Sequence, residues 1–388
     1  MDGYRRRGVT AAVLAVAVAL SAPVGAAAQP AGGEPEVRVR AAGAQVASGW
    51  IVHWRLDKGV NAVSRHAELV KDVSLFWFRA TRTSQVVEQE PGAQPSLARL
   101  RSSIQALQAL GITTYVTVTD AGFDATAMAR LLGDRQRRGQ LVASLVQVAS
   151  DAGADGVDID FEHMNFGSVG ADRTAVKKRF PRFLGQLQTR LHADGLKLSI
   201  ALPARTGARD GSWEVFDYRA IAPVVDRARV MAYDFHVPSG QRGPVAPLPW
   251  VNDVARFAGA TFGRKASLGL PAYGYNWHVK RLSGTCPAGA TNATSGTTRA
   301  FRALAAREQV TPTYQRSVAE YTFSYRRTWS DGARTCRVKR TVWFEDSRSV
   351  KDKLPLLRRH GLGSVAIWRL GGERPATWRV LGGYASRR

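Results

Sequence analysis

The chain has little cysteine, little acid relative to base, and no long apolar run after its first 28 residues. Only Cys286 and Cys336 occur in 388 residues, and their flanks, "SGTCPAG" and "ARTCRVK", hold neither His nor further Cys. A metal pair or a catalytic thiol needs partners that these segments do not supply. In an exported chain the pair is instead expected to form one disulfide across a loop of about 50 residues. The seven histidines are dispersed, which argues against zinc. No internal stretch approaches the ~18 consecutive apolar residues of a membrane-spanning helix. No GxGxxG or Walker motif follows the first strand-like run, so the usual nucleotide-binding signatures are missing. No internal repeat, low-complexity tract or LysM-like module is visible. With 31 acidic against 55 basic residues the formal charge is +24.

The first 28 residues stand apart. Arg5, Arg6 and Arg7 precede an apolar run from Val9 to Leu20, and "AAA" at 26–28 offers small residues for cleavage. This pattern predicts a secretory signal, because the run is too short to cross a bilayer. Residues 29–47 are small and polar and are expected to be a flexible lead-in. Three arginines and one aspartate leave with residues 1–28, which lowers the net charge by two, to +22. A secreted protein so basic is drawn to polyanions, and outside the cell these are wall polymers and anionic membrane surfaces. The same arginines could equally serve only to solvate helix faces. The basic residues are scattered without a reading motif, so nucleic acid is not an expected partner.

From residue 48 to the end, short β-branched or aromatic runs alternate with longer helical patterns. Strands are predicted at 49–54, 73–78, 113–119, 156–161, 196–202, 228–235, 266–271 and 364–370. Between them, residues 96–111 place Leu97, Leu100, Ile104, Leu107 and Leu110 on one helical face. Residues 175–195 do the same with Val176, Phe180, Phe183, Leu184, Leu187 and Leu191, although Pro181 predicts a kink or a late start. Eight strands alternating with helices predict an α/β (β/α)₈ TIM barrel over 48–388, with a doubly wound open sheet as the alternative. One interval is too long for a loop. Residues 275–345 hold both cysteines, two strand-like runs and a helical one, and are expected to form a small α+β insertion between the seventh strand and the following helix.

The stretch "ADGVDIDFEHM" at 154–164 sets Asp158, Asp160 and Glu162 on alternate positions. On a strand these point one way while Val157, Ile159 and Phe161 point the other. In a parallel barrel the apolar set packs on helices and the carboxylates enter the mouth, about 6.7 Å apart at Cα. Carboxylates so close cannot all ionise cheaply, so the cluster is expected to hold a proton near neutral pH. The end of a barrel strand is where this architecture places chemistry. The spacing matches no calcium loop, and no metal or other cofactor is expected.

"DGVDIDFE" resembles the DxxDxDxE signature of glycoside hydrolase family 18. "MAYDF" at 231–235, "LGLPAYGYNW" at 268–277 and "AIWRLGGE" at 366–373 resemble that family's sixth, seventh and eighth strand motifs. Together with "GWIVHW" and "VWFED" they are most similar to the branch of spore-cortex and wall-associated N-acetylglucosaminidases. One departure is "VTVTDAG" at the third strand's end, where many chitinases carry SxGG.

The resemblance implies a retaining hydrolase in which the substrate's own acetamido group attacks the anomeric carbon. Glu162 is then the acid and later the base, Asp160 orients the acetamido group, and Asp158 shares a proton behind it. Tyr233 donates to the acetamido oxygen, and Asp234 lines the same pocket. Trp368 floors the sugar or simply packs the barrel. Tyr273, Tyr275 and Trp277 are sugar platforms or anchors of the insertion. His163 and His236 are read as local hydrogen-bonding residues and Asp155 as structural. The expected substrate is an N-acetylated polysaccharide, peptidoglycan before chitin, with a non-catalytic sugar-binding barrel as the alternative. A monomer, secreted and associated with the cell wall, is the expected form.

Overall fold

The computed structural model describes residues 45–166, 170–211 and 213–387. Eight parallel strands close on themselves: β1 (Ala47–Val52), β2 (Val70–Ala80), β4 (Thr113–Asp120), β5 (Gly156–Asp160), β6 (Lys197–Pro203), β7 (Arg227–Met231), β8 (Ala266–Pro271) and β14 (Ser364–Trp368). β1 pairs with both β14 and β2, which removes both edges, and only the short β3 (Val86–Glu88) adds antiparallel to β2. The expected TIM barrel is the fold, and the open sheet is not.

Helices surround the barrel because each carries an apolar stripe and polar ends that suit it. Ser96 caps Leu97–Gln108 by accepting from the Arg99 N–H, and Leu100, Ile104 and Leu107 are buried. All six apolar residues expected on the long helix Ala171–Ala193 are buried. That helix starts earlier than expected and runs on through Pro181. Gly156 opens β5 where β6 comes so near that a Cβ would lie 2.1 Å from the Lys197 carbonyl oxygen. Any side chain there would push the strands apart.

The expected signal, 1–28, and the lead-in as far as residue 44 lie outside the described residues. The end of the lead-in differs from expectation: Val46 and Ala47 are fully buried, and Ala47 already pairs with β14 and β2. Among the described residues no helix is long and apolar enough to cross a membrane.

Between β8 and β14 the chain builds a five-stranded antiparallel sheet. Its members are β9 (Tyr273–Gly284), β10 (Thr294–Thr297), β11 (Thr313–Gln315), β12 (Glu320–Ser330) and β13 (Thr335–Phe344), in the order β10-β9-β13-β12-β11. The helix Thr298–Arg307 packs Phe301 and Ala305 on Phe323, Tyr325, Val342 and Phe344 to make a small separate core. Cys286 and Cys336 are joined, with Cα atoms 4.7 Å apart. β9 starts two residues after β8 ends, so this sheet stands at the C-terminal mouth of the barrel.

Candidate active site

The barrel interior is polar at its centre. Arg229, on β7 and fully buried, donates to Asp158 Oδ1 at 2.9 Å and to Asp72 Oδ1 at 2.6 Å, and also contacts Ser199 Oγ. Asp72 is held further by Arg227 at 2.5 Å and by the Ser48 hydroxyl at 2.6 Å. Burial alone would raise the Asp72 pKa, but Arg229 and Arg227 outweigh it and hold the carboxyl below its ordinary value. Asp158 also accepts from the Trp50 indole, Thr117 and Ser199, at 3.1, 3.3 and 2.5 Å. These partners occupy both of its oxygens. Asp158 is therefore held in place by its hydrogen bonds and by its ion pair with Arg229.

The raised carboxyls lie one step further out. Asp160 ends β5, and its Oδ1 is buried with no hydrogen-bond partner among the described residues. Burial, then the charges of Glu162, Asp158 and Asp120, push its pKa well up. Glu162 is not on the strand as expected. The strand stops at Asp160, and Glu162 has helical backbone angles, φ −96° and ψ −33°, where a short 3-10 turn begins. Its side chain nevertheless shares a cavity with Asp160. Burial first, and then Asp120 and Asp234, raise its pKa from 4.5 to about 7.

The sixth strand likewise ends at Met231, short of the expected 235, so Tyr233 and Asp234 lie in the segment beyond it. Asp234 adopts φ +61°, unusual for a residue with a side chain. Its carboxylate accepts from the Tyr273 hydroxyl and, at 2.7 Å, from that of Tyr275. Tyr275 is 7% exposed, packs with Val245 and Trp277, and also borders the groove that adjoins the cavity. Gly269 on β8 makes room for the Tyr233 ring, since a Cβ there would stand 3.1 Å from the Tyr233 Cε1. Burial, then the carboxylates of Glu162 and Asp160, keep the Tyr233 hydroxyl protonated. Tyr233 thus has a proton to donate.

Asp160, Glu162, Tyr233, Asp234 and Trp368 line one cavity of about 310 Å³ at the mouth of the barrel. Trp368 ends β14 and is braced edge-on by Trp50 at 5.7 Å and Phe76 at 5.5 Å between ring centroids. Its indole is half-buried. Tyr273 lies outside this cavity in an adjoining groove.

Sequence reasoning missed Asp120, which ends β4 and lines the cavity. It accepts from the His163 backbone N–H at 2.9 Å and lies 2.5 Å from that residue's Nδ1. An acid closing the third barrel strand, two positions after Val118, was the available signal. Arg229 and Asp72 were missed too, and nothing near them in sequence marks them. Asp155 accepts from the Thr114 N–H at 2.7 Å and its hydroxyl at 3.0 Å, which ties the loop before β5 to β4. His236 bonds the Pro244 carbonyl at 2.8 Å.

The family model for glycosyl hydrolases family 18 matches residues 104–373. The chain belongs to glycoside hydrolase family 18. This family-18 hydrolase is 30% identical over 318 residues to YdhD of Bacillus subtilis, named as a sporulation-specific glycosylase, with 81% of this chain and 70% of that one covered. It is 27% identical over 325 residues to the cortical fragment-lytic enzyme of Bacillus anthracis, covering 83% and 70%. Among solved structures, a chitinase from Chromobacterium violaceum superposes with a TM-score of 0.72 at 26% identity, covering 89% of this chain and all of that one.

Proposed function

We propose that this hydrolase cleaves a β-linked N-acetylglucosamine polymer of the cell wall, peptidoglycan, with retention of configuration. The observation that carries the reading is the Glu162–Asp160 pair, two carboxyls of raised pKa in one cavity floored by Trp368. A general acid is most effective when its pKa lies near the working pH, and Glu162 at about 7 meets that condition.

Glu162 gives its proton to the glycosidic oxygen as the C1–O bond breaks. The acetamido oxygen of the same sugar forms the new bond to C1, giving a cyclic oxazolinium ion. Asp160 accepts the acetamido N–H and opposes the positive charge. The Tyr233 hydroxyl donates to the acetamido oxygen and orients it. Glu162, now a carboxylate, takes a proton from water as that water attacks C1 and reopens the ring. No carboxylate becomes a covalent nucleophile, a departure from the two-carboxylate scheme. Asp158 and Arg229 act through Asp160, by fixing the strand and the charge behind it.

Peptidoglycan is preferred over chitin because of the likeness to cortical fragment-lytic enzymes and the excess of basic residues. Chitin is the second reading, favoured by the likeness to a solved chitinase. Export and wall association follow from the same preference and from the N-terminal pattern. The test is digestion of purified peptidoglycan and of N-acetylchitooligosaccharides, with the new reducing ends identified by mass spectrometry. New N-acetylglucosamine ends from peptidoglycan are expected. Efficient cleavage of a fully deacetylated polymer would overturn the substrate-assisted mechanism, and exclusive cleavage of chitooligosaccharides would overturn the substrate.

A further inference from the structure

The sugar cavity does not end at Trp368. It shares Trp368 and Asp234 with an adjoining groove of about 570 Å³, bordered by Tyr273 and Thr297. That groove in turn shares Thr297 and Arg369 with a third depression of about 500 Å³, between the helices Leu56–Ser64 and Pro375–Ala385. The three adjoin through these shared residues.

The third depression is lined by Arg55, Lys58, Arg65, Arg299, Arg369 and Arg374. Arg374 pairs with Asp346 at 2.9 Å, and the Glu373 charge acts on Arg369 and Arg299 without an ion-pair contact. Among the described residues, none of the other five is within ion-pair distance of a carboxylate. The one carboxylate in the lining, Glu373, is 5% exposed. It is turned inward, where it accepts from the Gly371 N–H at 2.6 Å and the Trp378 indole at 2.9 Å. Five unpaired cations around one concavity repel one another, and a bound anion relieves that repulsion. The crowding is felt at Arg369, where burial and then the Arg55 charge lower the pKa against the opposing charge of Glu373.

We propose that this depression binds oxyanions carried by the substrate chain itself, namely carboxylates borne by the glycan beyond the sugars held in the cavity. The inference rests on the glycan-cleaving reading and refines its substrate. Continuity over Arg369, the residue next to Trp368, is the reason for assigning the anion to the same chain rather than to a separate polymer. A guanidinium meets a carboxylate with two parallel N–H donors, so several arginines give both affinity and register. Neutral chitooligosaccharides have nothing to place there. A glycan bearing peptide carboxylates does.

The test uses Glu162→Gln protein, which binds without cleaving, and titration calorimetry. The probes are a peptidoglycan tetrasaccharide-peptide fragment, the same fragment with its carboxylates amidated, N-acetylchitotetraose, and inorganic polyphosphate. The fragment should bind about tenfold tighter than its amidated form, and this advantage should shrink as salt shortens the Debye length to about 8 Å. Adding Arg65→Glu and Arg299→Glu, both at exposed positions, should erase the advantage while binding of N-acetylchitotetraose stays within about twofold. The salt series needs no further substitution, so it stands if the charge-reversed protein misfolds. Equal binding of the two fragments, or an advantage that survives charge reversal, overturns the proposal. Polyphosphate that binds without displacing the fragment also overturns it, because the anion would then come from a separate polymer. Failure of the unsubstituted enzyme to cleave either the fragment or chitotetraose would overturn the functional reading instead.

Discussion

Glu162→Gln should stabilise the protein in alkaline solution while disabling it. The carboxyl is held at about 7, against an ordinary 4.5, by burial first and by the Asp120 and Asp234 charges second. Between these two values the folded protein keeps a proton that the unfolded chain has lost, so stability falls as the pH rises through this window. About 2.5 pH units at 1.36 kcal/mol each amount to a loss of about 3 kcal/mol, complete above pH ~7 and absent below ~4.5. A glutamine has no charge to desolvate and escapes this loss. It also lifts one of the repulsions on Asp160. Thermal or urea unfolding of both proteins, from about pH 4 to about pH 9, should show curves that coincide in acid and diverge toward base. The variant should gain several degrees in Tm at the alkaline end. Its kcat should meanwhile fall by ~10²-fold or more. A stability difference that does not change with pH would refute the electrostatic account of Glu162, whatever happened to activity.

Three further outcomes are expected. Asp120→Asn removes a charge that raises the Glu162 pKa, so the alkaline limb of kcat/KM should move to lower pH with turnover in acid preserved; an unmoved limb would dismiss the coupling. Arg229→Met leaves Asp158 and Asp72 buried without their shared cation and should cost about 3–5 kcal/mol in urea unfolding; a cost under about 1 kcal/mol would mean water or protonation compensates. Replacing Cys286 and Cys336 together by Ser opens a loop of 50 residues and should cost up to about 4 kcal/mol. Limited proteolysis should then cut first within residues 275–345, and first cuts in the barrel would contradict a cross-link local to that sheet.

Much of the architecture is legible in local pattern. Period-two runs of β-branched and aromatic residues mark β4, β6 and β8 nearly to the residue, because strands buried on both faces need such residues whatever surrounds them. Element ends are less legible. "MAYDF" and "DIDFE" read as uninterrupted strand, yet β7 ends at Met231 and β5 at Asp160, where the chain turns out of the strand direction: Glu162 takes helical angles and Asp234 a positive φ. Glu162, Tyr233 and Asp234 consequently lie on loops over the mouth, and no alternation rule places their side chains.

What the sequence alone determined is the alternation of strands and helices, the single disulfide pairing, and the presence of three acids within five residues. Covalent spacing and side-chain type are enough for these. Which acids have a raised pKa was decided only by tertiary structure. Arg229 lies 71 residues from Asp158 and 157 from Asp72, and barrel closure alone brings it between them. The fully buried guanidinium pairs with Asp158 and Asp72 and fixes both side chains in place. Asp160 and Glu162 have no such cation paired with them, and burial with neighbouring carboxylate charge raises the pKa of both.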